Sequence, residues 1–267
     1  MLDEAIALHK AYAAAHFNKG IAHTNLHPPN HWGAIEAFTD SLALNPNDER
    51  VRPLLGSAML SYAKSLMSTD ASEAEQYLSR AMHHINDSIA HGSKNPRTLH
   101  LRCELGDLLG YKAQENLSFC TSALNTNGEK WAPVDRVDAD VTLNLLGVIS
   151  KKMQQHTAAI KYFSRGLDKN PQSYDLLVNL ATTHSDTGNH ELANIYFEQA
   201  EALDIKTPLL RAYLFANKGW DMEKQGMRLA AYNLYQQAIN LSQPHPHPQF
   251  VANLHNIEQY CKVSKCE

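Results

Sequence analysis

The feature that most constrains this chain is that it repeats itself. Setting residue 140 against residue 174 overlays Leu143, Leu146, Gly147, Ala159, Phe163 and Gly166 on Leu177, Leu180, Ala181, Ala193, Phe197 and Ala200, each 34 residues on. A further 38 residues on, the last five reappear as Lys218, Gly219, Ala231, Tyr235 and Ala238, with Phe215 in the place of Leu177. The excess of four falls in Asp204–Arg211, where Pro208 argues against helix. Near the N-terminus the same order returns as Gly20, Ala34, Phe38, Ser41 and Pro46, with a turn two residues longer at His27-Pro28-Pro29-Asn30. A fixed period of this size marks stacked supersecondary units, each burying a face on the next.

The spacing has a physical cause. A small residue, a second small residue twelve places on, an aromatic four further and another small residue three beyond describe two antiparallel helices. Helix axes approach to about 8 Å only over small side chains, which places Gly or Ala at the crossing. The aromatic shares the face of Ala159, Ala193 or Ala231 and is expected to fill the gap towards the next unit. Asn45-Pro46 and Asn170-Pro171 stop the second helix, and Gly188-Asn189 supplies a turn between helices.

These residues resemble the tetratricopeptide repeat family, which implies an all-α, right-handed α-solenoid of helix pairs with a concave groove. The resemblance is close for 140–173 and 174–207, good for 212–245 and recognisable for 13–48. Residues 49–130 read as two degenerate helix pairs: Ala74, Leu78, Ala81, Ile85 and Ile89 form one apolar stripe, and Leu101, Leu105 and Leu108 precede Gly110 and a second run at Ala113, Leu117, Cys120 and Leu124. Residues 125–139 contain Gly and Pro without apolar period and read as a loop. A C-terminal capping helix is expected over 248–263, with Phe250, Val251, Leu254, Ile257 and Cys261 inward. Leu2, Ile6, His9 and Tyr12 run without a breaker into the first repeat, as one long helix. The chain thus reads as a single solenoid over 1–267.

Composition narrows the function. A formal charge of -4 with no basic cluster argues against nucleic acid as a partner. No apolar stretch reaches the roughly 20 residues that cross a bilayer, and the acidic N-terminus is unlike a signal peptide, so the expectation is a cytoplasmic chain without membrane insertion. Cys103, Cys120, Cys261 and Cys266 form no C-x-x-C pair and read as free thiols. No phosphate loop, H-E-x-x-H or G-x-S-x-G is present, and the carboxylates read as solvent-facing, so no catalytic residue is assigned. His23, His27 and His31 lie at four-residue steps, but Pro28 and Pro29 break the helix that would align them, so no metal or cofactor is expected.

What remains is a non-catalytic protein-protein interaction scaffold that holds a peptide or helix. The resemblance implies that first helices line the groove, and the phase of the repeats then offers Asn144, Val148, Asn179, Thr182, Tyr213, Asn217 and Trp220, with Lys152, Asp186 and Lys224 at one end. Asn179 and Asn217 take the same place in successive units, and Asn18 takes it in the first. An amide is both donor and acceptor, so such a ladder can grip an extended backbone. Glycosyltransferases that attach N-acetylglucosamine carry a similar ladder, which leaves open an accessory, substrate-recruiting region of an enzyme; a ligand or metal sensor is the further alternative. Family members that clamp acidic chaperone tails place Lys, Asn, Asn, Lys and Arg where this chain has Asn144, Val148, Asn179, Tyr213 and Asn217; only Asn179 matches and the cations are missing, so that partner is not expected.

Overall fold

The computed structural model describes residues 12–126 and 137–263. The described residues form helices α1 (Ala13–Thr24), α2 (His31–Leu44), α3 (Val51–Leu66), α4 (Ala71–Ala90), α5 (Pro96–Leu108), α6 (Ala113–Thr126), α7 (Ala139–Lys152), α8 (His156–Leu167), α9 (Tyr174–Asp186), α10 (His190–Glu201), α11 (Pro208–Lys224), α12 (Arg228–Leu241) and α13 (Pro248–Val263), with no strand among them. The fold class is the all-α solenoid of helix pairs. Contacts divide the chain within α7 into two compact units, residues 1–149 and 150–267.

The crossing rule operates through glycine. A Cβ on Gly20 would lie 2.5 Å from the ring of Phe38, and one on Gly219 would lie 2.9 Å from that of Tyr235. Both rings are fully buried, so neither can retreat. The aromatic therefore closes over the glycine of its own pair rather than only filling towards the next, because the missing side chain leaves room for the ring. The turns obey a second rule: Gly188 and Gly226, between α9 and α10 and between α11 and α12, both adopt φ of +78°. No atom lies within 4 Å of a Cβ built at either, so backbone conformation rather than space calls for glycine there.

The first unit caps its helices with side chains. Asn30, Asp70 and Asn95 accept hydrogen bonds from the backbone amides of Gly33, Glu73 and Thr98 at 2.9, 2.9 and 2.7 Å. Its core joins Phe38 and Ile35 of α2, Leu55 and Met59 of α3, Leu78, Ala81 and Ile85 of α4, and Leu101 and Leu105 of α5. The pair α5–α6 departs from the consensus. A Cβ on Gly106 would lie 2.1 Å from Asn116 Oδ1, which puts Asn116 where the other pairs have a small residue. Cys120, four residues on, stands where the consensus pairs have an aromatic, and it is disulfide-bonded to Cys103. The expectation of free thiols fails for these two because a buried α5–α6 crossing brings their Cα atoms to 5.4 Å. Cys261 and Cys266 lie outside the described side chains.

In the second unit, α9 and α10 bury Leu177, Ala181, Ala193 and Phe197 with Leu214. The helices α11, α12 and α13 bury Phe215, Ala231, Tyr235, Phe250 and Ile257. Val251, expected inward, is 45% exposed, because one turn of α13 cannot turn both Phe250 and its neighbour to the core. Pro208 does not interrupt helix but opens α11, at the N-terminal position where its missing N–H costs nothing. The long first helix expected from Leu2, Ile6 and His9 lies outside the described residues; Tyr12 precedes α1 and is exposed.

Candidate binding surfaces

The proposed groove residues fall in both units. Asn144 and Val148, half-buried on α7, belong to the first; Asn179, Thr182, Tyr213, Asn217 and Trp220 belong to the second. Within the second, Trp220 is the most open, 45% exposed. Lys224, one turn on, holds its ammonium 5.4 Å from the indole centre. Tyr213 is edge-on to Phe250 at 5.2 Å and to His247 at 5.5 Å, so the capping helix fixes its ring. Asn179 and Asn217 are both half-buried. The carbonyl of Asn179 accepts from the hydroxyls of Thr182 and Thr183 at 3.1 and 2.6 Å. Thr182 is thereby a link in a chain rather than an open group, since it also accepts from Lys151 at 2.9 Å.

That chain continues. Lys151 pairs with Asp186 at 2.9 Å, and Lys224 pairs with the other oxygen of the same carboxylate. One carboxylate from α9 therefore joins lysines from α7 and α11. Burial works against the charge on Asp186, but the hydrogen bonds from Lys224 and Lys151 hold its carboxyl below the usual range. The pairing of Lys151 with Asp186 spans 35 residues, one more than the repeat, so the 34-residue overlay does not point to it.

A second missed group is Asp221, fully buried although the carboxylates were expected to face solvent. Its Oδ1 lies 2.7 Å from His190 Nδ1, and its Oδ2 accepts from Gln225 at 2.8 Å. His190 opens α10 while Asp221 lies on α11, so the bond ties one pair to the next. The two hydrogen bonds make the buried position tolerable for a carboxyl group, and nothing in the local pattern announces the contact with His190.

The first unit holds a polar hollow of about 520 Å³ lined by Ser57, Ser61 and Lys64 of α3, Arg97, His100 and Glu104 of α5, and Asp138 and Val141 at the start of α7. Lys64 donates to Glu104 Oε1. His100, 6% exposed, has Nε2 3.5 Å from Glu104 Oε2 and Nδ1 3.1 Å from Thr142 Oγ1. Burial alone would raise the Glu104 carboxyl, but the hydrogen bond to His100 and the Lys64 ammonium outweigh it and bring the pKa down to about 2. Among the described residues no group of three or more His, Cys, Asp or Glu side chains could hold a metal ion, and no helix is long and apolar enough to cross a membrane.

The tetratricopeptide repeat pattern matches residues 142–173 and 174–204. No curated protein matches the chain in sequence. Among solved structures, the human IFIT1 dimer with PPP-AAAA is similar over 100% of this chain and 60% of its own, at 14% identity and a TM-score of 0.69. Human IFIT1 with m7Gppp-AAAA is similar over 98% and 58%, at 15% identity and a TM-score of 0.71. The tetratricopeptide protein YrrB, described as having an unusual peptide-binding site, is similar over 84% of this chain and 100% of its own, at 19% identity and a TM-score of 0.51. The chain thus spans about three fifths of the length of the IFIT1 structures. They overturn the exclusion of nucleic acid as a partner. A net charge of -4 without a basic cluster in the sequence does not exclude RNA when this fold, in IFIT1, is seen with short triphosphate-ended and capped RNAs.

Proposed function

We propose, for a chain whose residues 142–204 are tetratricopeptide repeats, that the second unit is a non-catalytic recognition surface for an extended polypeptide. The observation that carries this is Trp220: a large aromatic left 45% exposed on a first helix, beside the half-buried amide of Asn217. Trp side chains are enriched among the anchors of protein recognition, where one large ring brings both apolar area and a polar N–H. The surroundings favour a preset surface. Lys224, Asp186 and Lys151 are mutually bonded before any ligand arrives, which reduces the ordering entropy that binding would otherwise cost. Asn179 and Asn217 occupy equivalent places on α9 and α11, and an amide carries both the donor and the acceptor that a strand's backbone requires.

Panning a displayed random-peptide library against the chain, followed by titration of the enriched peptides, tests this. Trp220→Ala and Asn217→Ala are expected to weaken those peptides at least tenfold while the far-ultraviolet dichroism stays unchanged. Failure to enrich any peptide sinks the reading. So does a 5′-triphosphate tetra-adenylate that binds and is weakened by Trp220→Ala, which would transfer the surface to RNA.

A further inference from the structure

We infer that the hollow between α3, α5 and the start of α7 is a binding site for a small zwitterion, a di- or tripeptide with free ends and aliphatic side chains. The volume of about 520 Å³ lies within the range of about 300–1,000 Å³ common to small-ligand pockets. Its charged lining is balanced: Lys64 and Arg97 are cationic, Glu104 and Asp138 anionic. A simple anion entering would meet two carboxylates, and a simple cation would meet an ammonium and a guanidinium. A dipolar ligand meets an opposite charge at each end.

The site is built rather than incidental. Glu104 is held from two sides, by Lys64 and by His100, and His100 is itself buried against Thr142. The anionic wall is therefore fixed in place before a ligand arrives. Lys64 Nζ has three donors, and its bond to Glu104 uses one, so the ammonium can serve a ligand carboxylate without leaving its partner. The same lining includes Leu60, Leu101 and Val141, which suit aliphatic side chains, and Ser57 and Ser61, whose hydroxyls suit a peptide group. A nucleotide fits less well. No Phe, Tyr or Trp ring lines the hollow among the described residues to stack a base, and Glu104 and Asp138 would face its phosphate. The inference does not rest on the Trp220 surface, which lies in the other unit.

Isothermal titration of the full chain with L-leucyl-L-leucine tests it, with N-acetyl-leucyl-leucine amide and adenosine monophosphate as comparison ligands. The free dipeptide is expected to give saturable one-to-one heat and the doubly blocked one none. Ser61→Leu, which fills the hollow, and Glu104→Gln, which removes the fixed anion, are each expected to weaken the dipeptide at least tenfold. Trp220→Ala leaves its affinity unchanged. No saturable heat with the free dipeptide, equal binding of the blocked form, tighter binding of the nucleotide, or Ser61→Leu without effect in a chain of unaltered dichroism would each overturn the assignment.

Discussion

At the scale of single residues, the repeat exposes one position that breaks its own rule. Gln154 stands in the slot of Gly188 and Gly226 and adopts φ of +59°. A side chain in that left-handed conformation costs about 1–2 kcal/mol that glycine does not incur. Its carboxamide oxygen lies 3.2 Å from His156 Nε2, an exposed contact of small worth. Gln154→Gly is accordingly expected to stabilise the chain by about 0.5–1 kcal/mol after the greater freedom of glycine in the unfolded state is subtracted. Denaturant midpoints at unchanged slope measure it, and a lower midpoint would mean that the His156 contact outweighs the strain. The turn at Gly188 was legible in the sequence because Gly-Asn is a turn signal of its own. The same turn at Gln154 carries no such signal, and only the 34-residue overlay points to it. Asp221 and Lys151 were illegible for a different reason: their partners lie 31 and 35 residues away, and side-chain reach decides those contacts.

At the scale of elements, the consensus pairs were readable because a glycine under a ring leaves few alternatives, as Gly20 under Phe38 and Gly219 under Tyr235 show. The pair α5–α6 was hard to read because it solves the same crossing with other chemistry. Asn116 faces Gly106, the Arg102 guanidinium stacks over Phe119 at 4.7 Å and Tyr111 at 5.1 Å, and a disulfide replaces the ring. Polar substitutes of this kind erase the apolar period while keeping the geometry. The contact of α3 with α5 carries a pH signature. Glu104 has its pKa lowered from 4.5 to about 2 in the folded chain, so its stabilisation is complete above pH 4.5 and is lost as pH falls towards 2. The advantage of the wild-type chain over Glu104→Gln is expected to reach about 2–3 kcal/mol at pH 6 and to vanish near pH 2. Urea unfolding at stepped pH reads it, and a difference independent of pH would show that the charge on Glu104 is not what matters.

At the scale of the molecule, two units with separate cores imply that damage to one need not reach the other. The disulfide belongs wholly to the first, where it closes a separation of 17 residues. Cross-links of that span contribute about 3 kcal/mol. The double substitution Cys103→Ser with Cys120→Ser is expected to speed amide exchange across residues 51–126 while residues 174–241 keep their protection. Equal acceleration in both would show that the units open together. A last consequence concerns how such a chain could grow. Asp186 is flanked by a lysine from the helix pair before it and a lysine from the pair after it. An in-frame copy of residues 174–207 would seat one Asp186 beside another, strip each of a counter-charge and set like charges together. Lengthening by tandem duplication is thus penalised at this point unless the charges are rewritten, which fixes the order of these pairs as well as their number.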